Sequence, residues 1–341
     1  MIEIDGSHLE GGGQIVRTAV AMSAVTGKPI RVSNIRRGRD KPGLRPQHLE
    51  SIRAAAELCS AETKNLNLDS REFTFVPGPV RDFKREIDTR TAGAVSLILQ
   101  TLLPVAFGGG VKLDLKLRGG TAVPFSPTIE FTRTVFAPLL AHFGLKVAIE
   151  VLQHGFYPVG GGDVRVTAEP SSMHTVNLTE RGKLYKIEVI SASAVKLRGS
   201  RVAERALEGF QRFFPDAKSR IDYINVLSPG CFVCAHAVFD NGRIGADAIG
   251  EAGKRAEEVG AEAARALKRS IDSEAAIDTW MTDQIVPYLA LASARNNTVS
   301  KVSIPAMSRH AETNIWTVKQ FLPVNFRIHE WIMTCMCQTP P

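Results

Sequence analysis

Apolar and polar positions along the chain switch between two periods, and the switching repeats. Three times, a short apolar segment ending in Ile-Asp (Ile4-Asp5, Ile87-Asp88, Ile277-Asp278) leads into a stretch rich in Ala, Leu and Val with few breakers. These stretches, Gln14–Ala24, Ala92–Ala106 and Thr282–Ser293, predict helices. Each passes through a small or polar turn into alternation that predicts a strand, at Pro29–Ile35, Val111–Leu117 and Thr298–Ile304. Second helices (Leu49–Cys59, Pro127–Phe143, Asn314–Leu322) and second strands (near Glu72–Val76, Leu145–Val151, Val324–Ile328) complete each unit. A repeat of this length decides the fold class before any single motif does. The expectation is an α/β (α+β) protein of three helix-strand-helix-strand units. Such units can pack helices on one face of each sheet and leave clefts where their loops converge.

Between the second and third copies, Gly182–Ser273 reads as a small inserted α/β domain. Its pattern predicts a strand Leu184–Ala192, a helix Arg201–Phe213, strands near Tyr223–Leu227 and Cys231–Val238, and a mixed-charge helix Gly250–Ile271. The chain thus divides into residues 1–181 with 274–341, and residues 182–273.

With 341 residues and 44% hydrophobic content, two cores can form without staples. The opening Met1-Ile2-Glu3-Ile4-Asp5-Gly6 has neither a basic segment nor an apolar core, so no signal peptide is expected. The best apolar run, Thr91–Phe107, is broken by Gln100 and Pro104 and falls short of a membrane span. Five cysteines, an odd number, fit reduced thiols in a cytoplasmic protein, or a nuclear one in a eukaryote, better than a disulfide framework. Cys231/Cys234 and Cys335/Cys337 offer four thiolates for zinc, but their separation matches no compact zinc motif. The net charge of +7 is concentrated: Lys28 to Arg53 holds eight cations against two anions. Gly38, Pro42, Gly43 and Pro46 interleave with them, which favours an ordered phosphate-binding loop over a solvated helix face.

Against that basic loop, two segments stand out. His310, in the polar stretch Ser308–Asn314, is a candidate nucleophile. A neutral imidazole, with a reference pKa of about 6.5, keeps a nitrogen lone pair free at neutral pH, although an isolated loop histidine is more often a surface or capping residue. Glu10-Gly11-Gly12-Gly13-Gln14-Ile15-Val16-Arg17 sets a carboxylate before three glycines that open a helix. Either this is a turn and cap, or its backbone amides approach a phosphate. In the second case Glu10 is a hard metal ligand, and Arg17 points the same way one turn on. Gly108–Gly110 and Gly160–Gly162 read as turns, and the chain has no Walker lysine motif, nucleophile elbow, kinase signature or helical zinc-protease pair.

Taken together, Glu10–Arg17, Arg36-Arg37-Gly38-Arg39-Asp40-Lys41-Pro42-Gly43-Leu44-Arg45-Pro46-Gln47-His48, His154–Gly162 and Ser308-Arg309-His310 through Asn314 closely resemble the RNA 3'-terminal phosphate cyclases. The resemblance covers essentially the whole chain. It implies three units akin to those of the enolpyruvyl transferases, with a smaller domain inserted after the second unit. It also implies ATP-dependent conversion of an RNA 3'-terminal phosphate to a 2',3'-cyclic phosphate. In that chemistry His310 would take AMP from ATP and pass it to the RNA phosphate, and the neighbouring 2'-hydroxyl would expel it.

By the same resemblance Glu10 would bind Mg2+ or Mn2+ beside the triphosphate. Arg17, Arg36, Arg39 and Lys41 would neutralise phosphate charge, with Gln47, His48 and Gln100 as neutral donors. Asp283 and Gln284 would contact the nucleoside. Trp280 and Pro127 would sandwich adenine, Trp280 standing where the family often has tyrosine. His154 is open to a functional or a loop-ordering reading. The implied partners are ATP and RNA with a 3'-phosphate end, with no membrane. No candidate falls within residues 182–273. Two alternatives share the fold: a non-catalytic cyclase-like scaffold in ribosome assembly, which would lack the equivalent of His310 and its basic cluster, and an enolpyruvyl transferase, which would need neither the insertion nor the Ser-Arg-His segment.

Overall fold

The computed structural model describes residues 1–338, and its strands fall into four four-stranded sheets. Three of the sheets share one connectivity. In the first unit, Ile2–Asp5 pairs parallel to Ile30–Ser33 across the helix Gly13–Thr26, and the hairpin Glu62–Lys64/Phe73–Val76 follows the helix Pro46–Leu58. Phe83–Asp88, Leu113–Gly119, Leu145–Gln153 and Gly162–Pro170 repeat the arrangement in the second unit. Each unit therefore ends in a hairpin of two strands, one more than the sequence pattern gave.

The third unit corrects the expected order. Its first strand is Asn177–Leu178, parallel to Ser300–Ser303, and it precedes the inserted segment. Ile277-Asp278 forms no strand. The insertion therefore interrupts the third unit after its first strand, and does not lie between units two and three. What Ile-Asp does mark is a shared turn. Asp5, Asp88 and Asp278 each accept the backbone N–H two residues on, from Ser7, Arg90 and Trp280, at 2.9, 2.7 and 3.0 Å.

The helices of the three units meet in one core. Val95–Gly109 lies at its centre, with Leu97, Ile98, Leu99, Leu102, Leu103, Val105 and Phe107 all buried, as an all-round apolar helix must be. That helix is the apolar run noted above, and among the described residues no helix is long and apolar enough to cross a membrane. The second helix of unit two is continuous from Ile129 to Ala141, with a π-helical turn at Thr132–Phe136. Pro138 has no N–H to offer Thr134, and the Thr134 carbonyl is taken instead by Arg243 Nη1 at 3.2 Å.

The inserted sheet runs Lys218–Ile224, Leu184–Ala194, Cys231–Phe239, Gly242–Ile249, the last strand being absent from the sequence expectation. Helices Val202–Gln211 and Ala256–Asp272 cover one face and enclose a separate apolar cluster. The other face, carrying Phe232 and Cys234, joins the main core. Cys231 and Cys234 thus project to opposite sides of one strand, since an i, i+3 pair in a period-two structure cannot converge. All five thiols are free.

The two covering helices touch backbone to backbone. A Cβ on Gly260 would fall 1.7 Å from the carbonyl oxygen of Ala206, and one on Gly209 2.0 Å from that of Glu257. Gly260→Ala should therefore force the helices apart at a cost of about 1–3 kcal/mol. Calorimetry is expected to register a lowered thermal midpoint; an unchanged midpoint would mean that the helix pair has slack this packing does not reveal.

Candidate functional site

Most sequence-derived candidates sit where a strand of a parallel pair hands over to the next helix, or in that helix's first turn; Arg17 and Gln100 lie further along their helices, His154 lies between two antiparallel strands, and Trp280, Asp283 and Gln284 follow the helix Ala256–Asp272. In an α/β sheet these junctions leave helix N-termini facing one crevice. The junctions of units one and three meet there directly. Helix Gly13–Thr26 packs against helix Arg309–Lys319, and His8 stacks on Trp316 with ring centroids 4.1 Å apart.

The helix that carries His310 starts at Arg309 and not at Asn314 as the pattern placed it, so His310 is its second residue rather than a loop residue. Ser308 is the reason: its hydroxyl accepts the Ala311 N–H at 3.1 Å and starts the helix there. The imidazole is half exposed, 52% by side chain, over the positive end of the helix. Its Nδ1 lies 2.5 Å from Gln14 Oε1. Gln14 Nε2 in turn donates to Asp283 Oδ2 at 2.6 Å. A carboxylate can only accept, so the Gln14 amide nitrogen must face Asp283 and its oxygen must face His310. In the neutral ring His310 Nδ1 then carries the proton and Nε2 the lone pair.

Below this relay the helices are stitched further. Thr18 Oγ1 donates to Asn314 Oδ1 at 2.7 Å, and Asn314 Nδ2 donates to the Asp283 carbonyl at 2.8 Å. Burial pushes the Asp283 carboxyl up to about 6, against the charges of His310 and Arg17. Arg17 is lowered to about 10 by burial, which leaves it cationic at neutral pH. Gln14, Thr18 and Asn314 were not singled out as site residues from sequence. Gln14 stood inside the quoted motif, but its position in a buried helix face reads as core packing.

Glu10 presents its carboxylate beside the imidazole, Oε2 being 3.8 Å from His310 Nδ1. Oε1 is ion-paired with Arg39. Oε2 is buried and has no hydrogen-bond partner, an arrangement that suits a hard cation. No group of three or more His, Cys, Asp or Glu among the described residues surrounds it, so a Mg2+ or Mn2+ held by Glu10 must draw its remaining ligands from water and phosphate oxygens. The glycines make room for these side chains. A Cβ on Gly12 would lie 2.1 Å from Glu10 Oε2, and one on Gly13 2.1 Å from His48 Nε2. Gly12 leaves the first amides of the helix without a side-chain cap.

His48 is buried, and its Nδ1 accepts the Arg45 N–H at 3.2 Å. Burial, reinforced by Arg17, Arg36 and Arg45, lowers it to about 3, so it is a neutral ring with an Nε2–H donor. The basic loop divides in two. Arg36 donates to the carbonyls of Lys41 and Gly43 at 2.7 and 3.2 Å and braces the loop from within. Arg31, Arg45 and Arg53 pair with Glu72, Asp69 and Glu50 at the surface. Arg39 reaches Glu10, and Lys41 is exposed. Gln47 Oε1 lies 3.4 Å from the Ala94 amide and links unit one to unit two. Gln100 borders a cavity of about 20 Å³ together with Arg17, Asp283, Gln284 and Tyr288.

Trp280 is 54% exposed and is not a core residue. Gln284 Nε2 donates to its carbonyl at 3.0 Å. Pro127 is partly buried, its carbonyl accepting Ser96 Oγ at 2.8 Å. His154 is buried, bonded through Nδ1 to Thr121 at 3.1 Å, and orders its own loop.

A family model described as RNA 3'-terminal phosphate cyclase matches residues 8–328. Relatives named RNA 3'-terminal phosphate cyclase come from Ignicoccus hospitalis, 41% identical over 95% of this chain and 93% of its own length, and Caldivirga maquilingensis, 43% identical over 95% and 94%. One from Nitrosospira multiformis is 41% identical over 96% and 93%.

The displaced Asp283 carboxyl has a measurable consequence. It ionises near 6 in the folded chain against 3.8 when unperturbed, so the stability it contributes is complete below pH 3.8 and is lost as pH rises through 6. Denaturant titrations between about pH 4 and 6 should show that decline in the wild type and a flatter profile in Asp283→Asn. Parallel profiles would return Asp283 to the ordinary carboxylate range.

Proposed function

Since the chain belongs to the RNA 3'-terminal phosphate cyclase family, and is a cyclase on that ground, we propose that it works through a covalent histidine-AMP intermediate on His310. Residues 1–181 and 274–341 form the catalytic domain in this reading, and residues 182–273 the inserted one. The single observation that carries the mechanism is the Asp283–Gln14–His310 relay, which holds the proton on Nδ1 and leaves Nε2 nucleophilic.

Nε2 attacks the α-phosphorus of ATP; the new P–N bond replaces the bond to the β-phosphate, and pyrophosphate leaves. The positive charge that develops on the ring is met by the Gln14 oxygen and, through it, by Asp283. A 3'-phosphate oxygen of RNA then attacks the same phosphorus and breaks the P–N bond, giving a mixed anhydride with AMP. The adjacent 2'-hydroxyl loses its proton, attacks the RNA phosphorus and expels AMP, closing the 2',3'-cyclic phosphate. Only RNA carries that hydroxyl.

Nucleotidyl transfer of this kind depends on positioning and on neutralising spread negative charge. Arg17, Arg39 and Lys41 supply the cations, while neutral His48 and Gln47 donate hydrogen bonds. Arg36 acts by bracing the loop. Glu10 would hold Mg2+ or Mn2+, which when bound screens the triphosphate. Asp283 and Gln284, with Gln100 behind them, border the nucleoside, and Trp280 and Pro127 take the two faces of adenine. No observation favours the scaffold alternative.

With ATP labelled at the α-phosphate, the wild type should form a protein-AMP adduct that is acid-labile and alkali-stable, as a phosphoramidate is. Folded His310→Ala should form none, and an adduct on it would remove His310 as nucleophile. Arg39→Lys keeps the charge but loses the planar fork, so a large loss of cyclisation is expected, with wild-type rates pointing instead to a diffuse electrostatic role.

A further inference from the structure

The strand Gly242–Ile249 belongs to the inserted domain, yet it bonds both to the residue that follows Pro127 and to the aspartate that holds the Trp280 backbone. Asp247 Oδ2 accepts the Thr128 N–H at 2.7 Å, fixing the residue that follows Pro127. Two positions earlier, the Gly245 N–H donates to Asp278 Oδ2 at 3.0 Å. The other oxygen of Asp278 accepts the N–H groups of Trp280 and Met281, each at 3.0 Å. Pro127 and Trp280, which come from different units of the catalytic domain, are thereby tied to one strand at residues two apart.

Three further features make this a fixed seat. Asp278 is fully buried, and Asp247 is half-buried, opposite Cys234 in the register of the sheet. A Cβ on Gly245 would fall 2.5 Å from Val135 Cγ2 and 3.1 Å from the Phe131 ring, so glycine lets the strand close onto the π-turn helix. Arg243 completes the contact by capping the Thr134 carbonyl that Pro138 leaves free.

We propose that the inserted domain sets the gap between Pro127 and Trp280, with Asp247 as a positioning residue for nucleotide affinity and base selectivity. This rests on the reading that those two residues sandwich adenine. It gives the insertion a role in the first step of the reaction although none of its side chains touches the nucleotide.

The test measures protein-AMP formation against ATP concentration, and the same adduct chemistry with CTP. Asp247→Ala removes the acceptor and should raise the half-saturating ATP concentration about tenfold, lower the preference for ATP over CTP, and change the maximal rate by less than about threefold. Asp247→Asn keeps a neutral acceptor and should sit in between, about two- to threefold up in half-saturation. A role confined to stability would lower the thermal midpoint and leave half-saturation and base preference alone. If Asp247→Ala does not fold, the Asn variant decides: wild-type half-saturation and selectivity overturn the proposal. Trp280→Ala separates the two layers of inference. If it weakens ATP use while the Asp247 variants do not, only the positioning role falls; if both leave ATP use unchanged, the sandwich falls with it.

Discussion

Gln14 is an amide with two unlike ends, and its neighbours decide which way it faces. Asp283 can only accept, so it takes the amide nitrogen at 2.6 Å, and His310 receives the oxygen. From that one orientation follows the imidazole tautomer, and from the tautomer follows which nitrogen would attack phosphorus in the proposed reaction. The arrangement is worth little unless helix Gly13–Thr26 and helix Arg309–Lys319 stay in register. Much of the local structure serves that purpose: the Thr18–Asn314 bond, the hold of Asn314 on the Asp283 carbonyl, and the stack of His8 on Trp316. Buried polar networks of this kind are costly when incomplete and specific when satisfied.

Charge in the crevice is managed by burial as much as by pairing. His48 could have added another cation to Arg17, Arg36 and Arg45; instead it is neutral and spends Nδ1 on the Arg45 amide. Glu10 shares itself between Arg39 and a buried oxygen with no partner. The crevice thus keeps its positive charge on guanidinium and ammonium groups, which suits the proposed encounter with a triphosphate and then an RNA phosphate. Gly12 and Gly13 are part of this arrangement, since any side chain there would collide with Glu10 or His48.

Much of this was legible in the chain. The alternation of helical and strand periods gave the principal elements of the first two units and most of the insertion, because those segments are long and strongly patterned. Asn177–Leu178 escaped because two residues carry no period. Ile277-Asp278 took its place because it shares the turn chemistry of Asp5 and Asp88 without the strand. Gly242–Ile249 was lost between two glycines beside a long helix, and with it the contacts of Asp247 and Gly245. The residue types of the site were visible at motif level. Their geometry was not, because Gln14 and Asp283 are 269 residues apart in sequence and meet only when units one and three close on each other.

The tautomer of His310 tests the account most directly. Nitrogen NMR of the protein labelled with 15N in its histidine rings, recorded above pH 7 and assigned with His310→Ala, distinguishes a protonated ring nitrogen from one bearing a lone pair. The account predicts a protonated Nδ1 and an unprotonated Nε2 at His310, and loss of that preference in Gln14→Leu. A proton found on Nε2 in the wild type would contradict it.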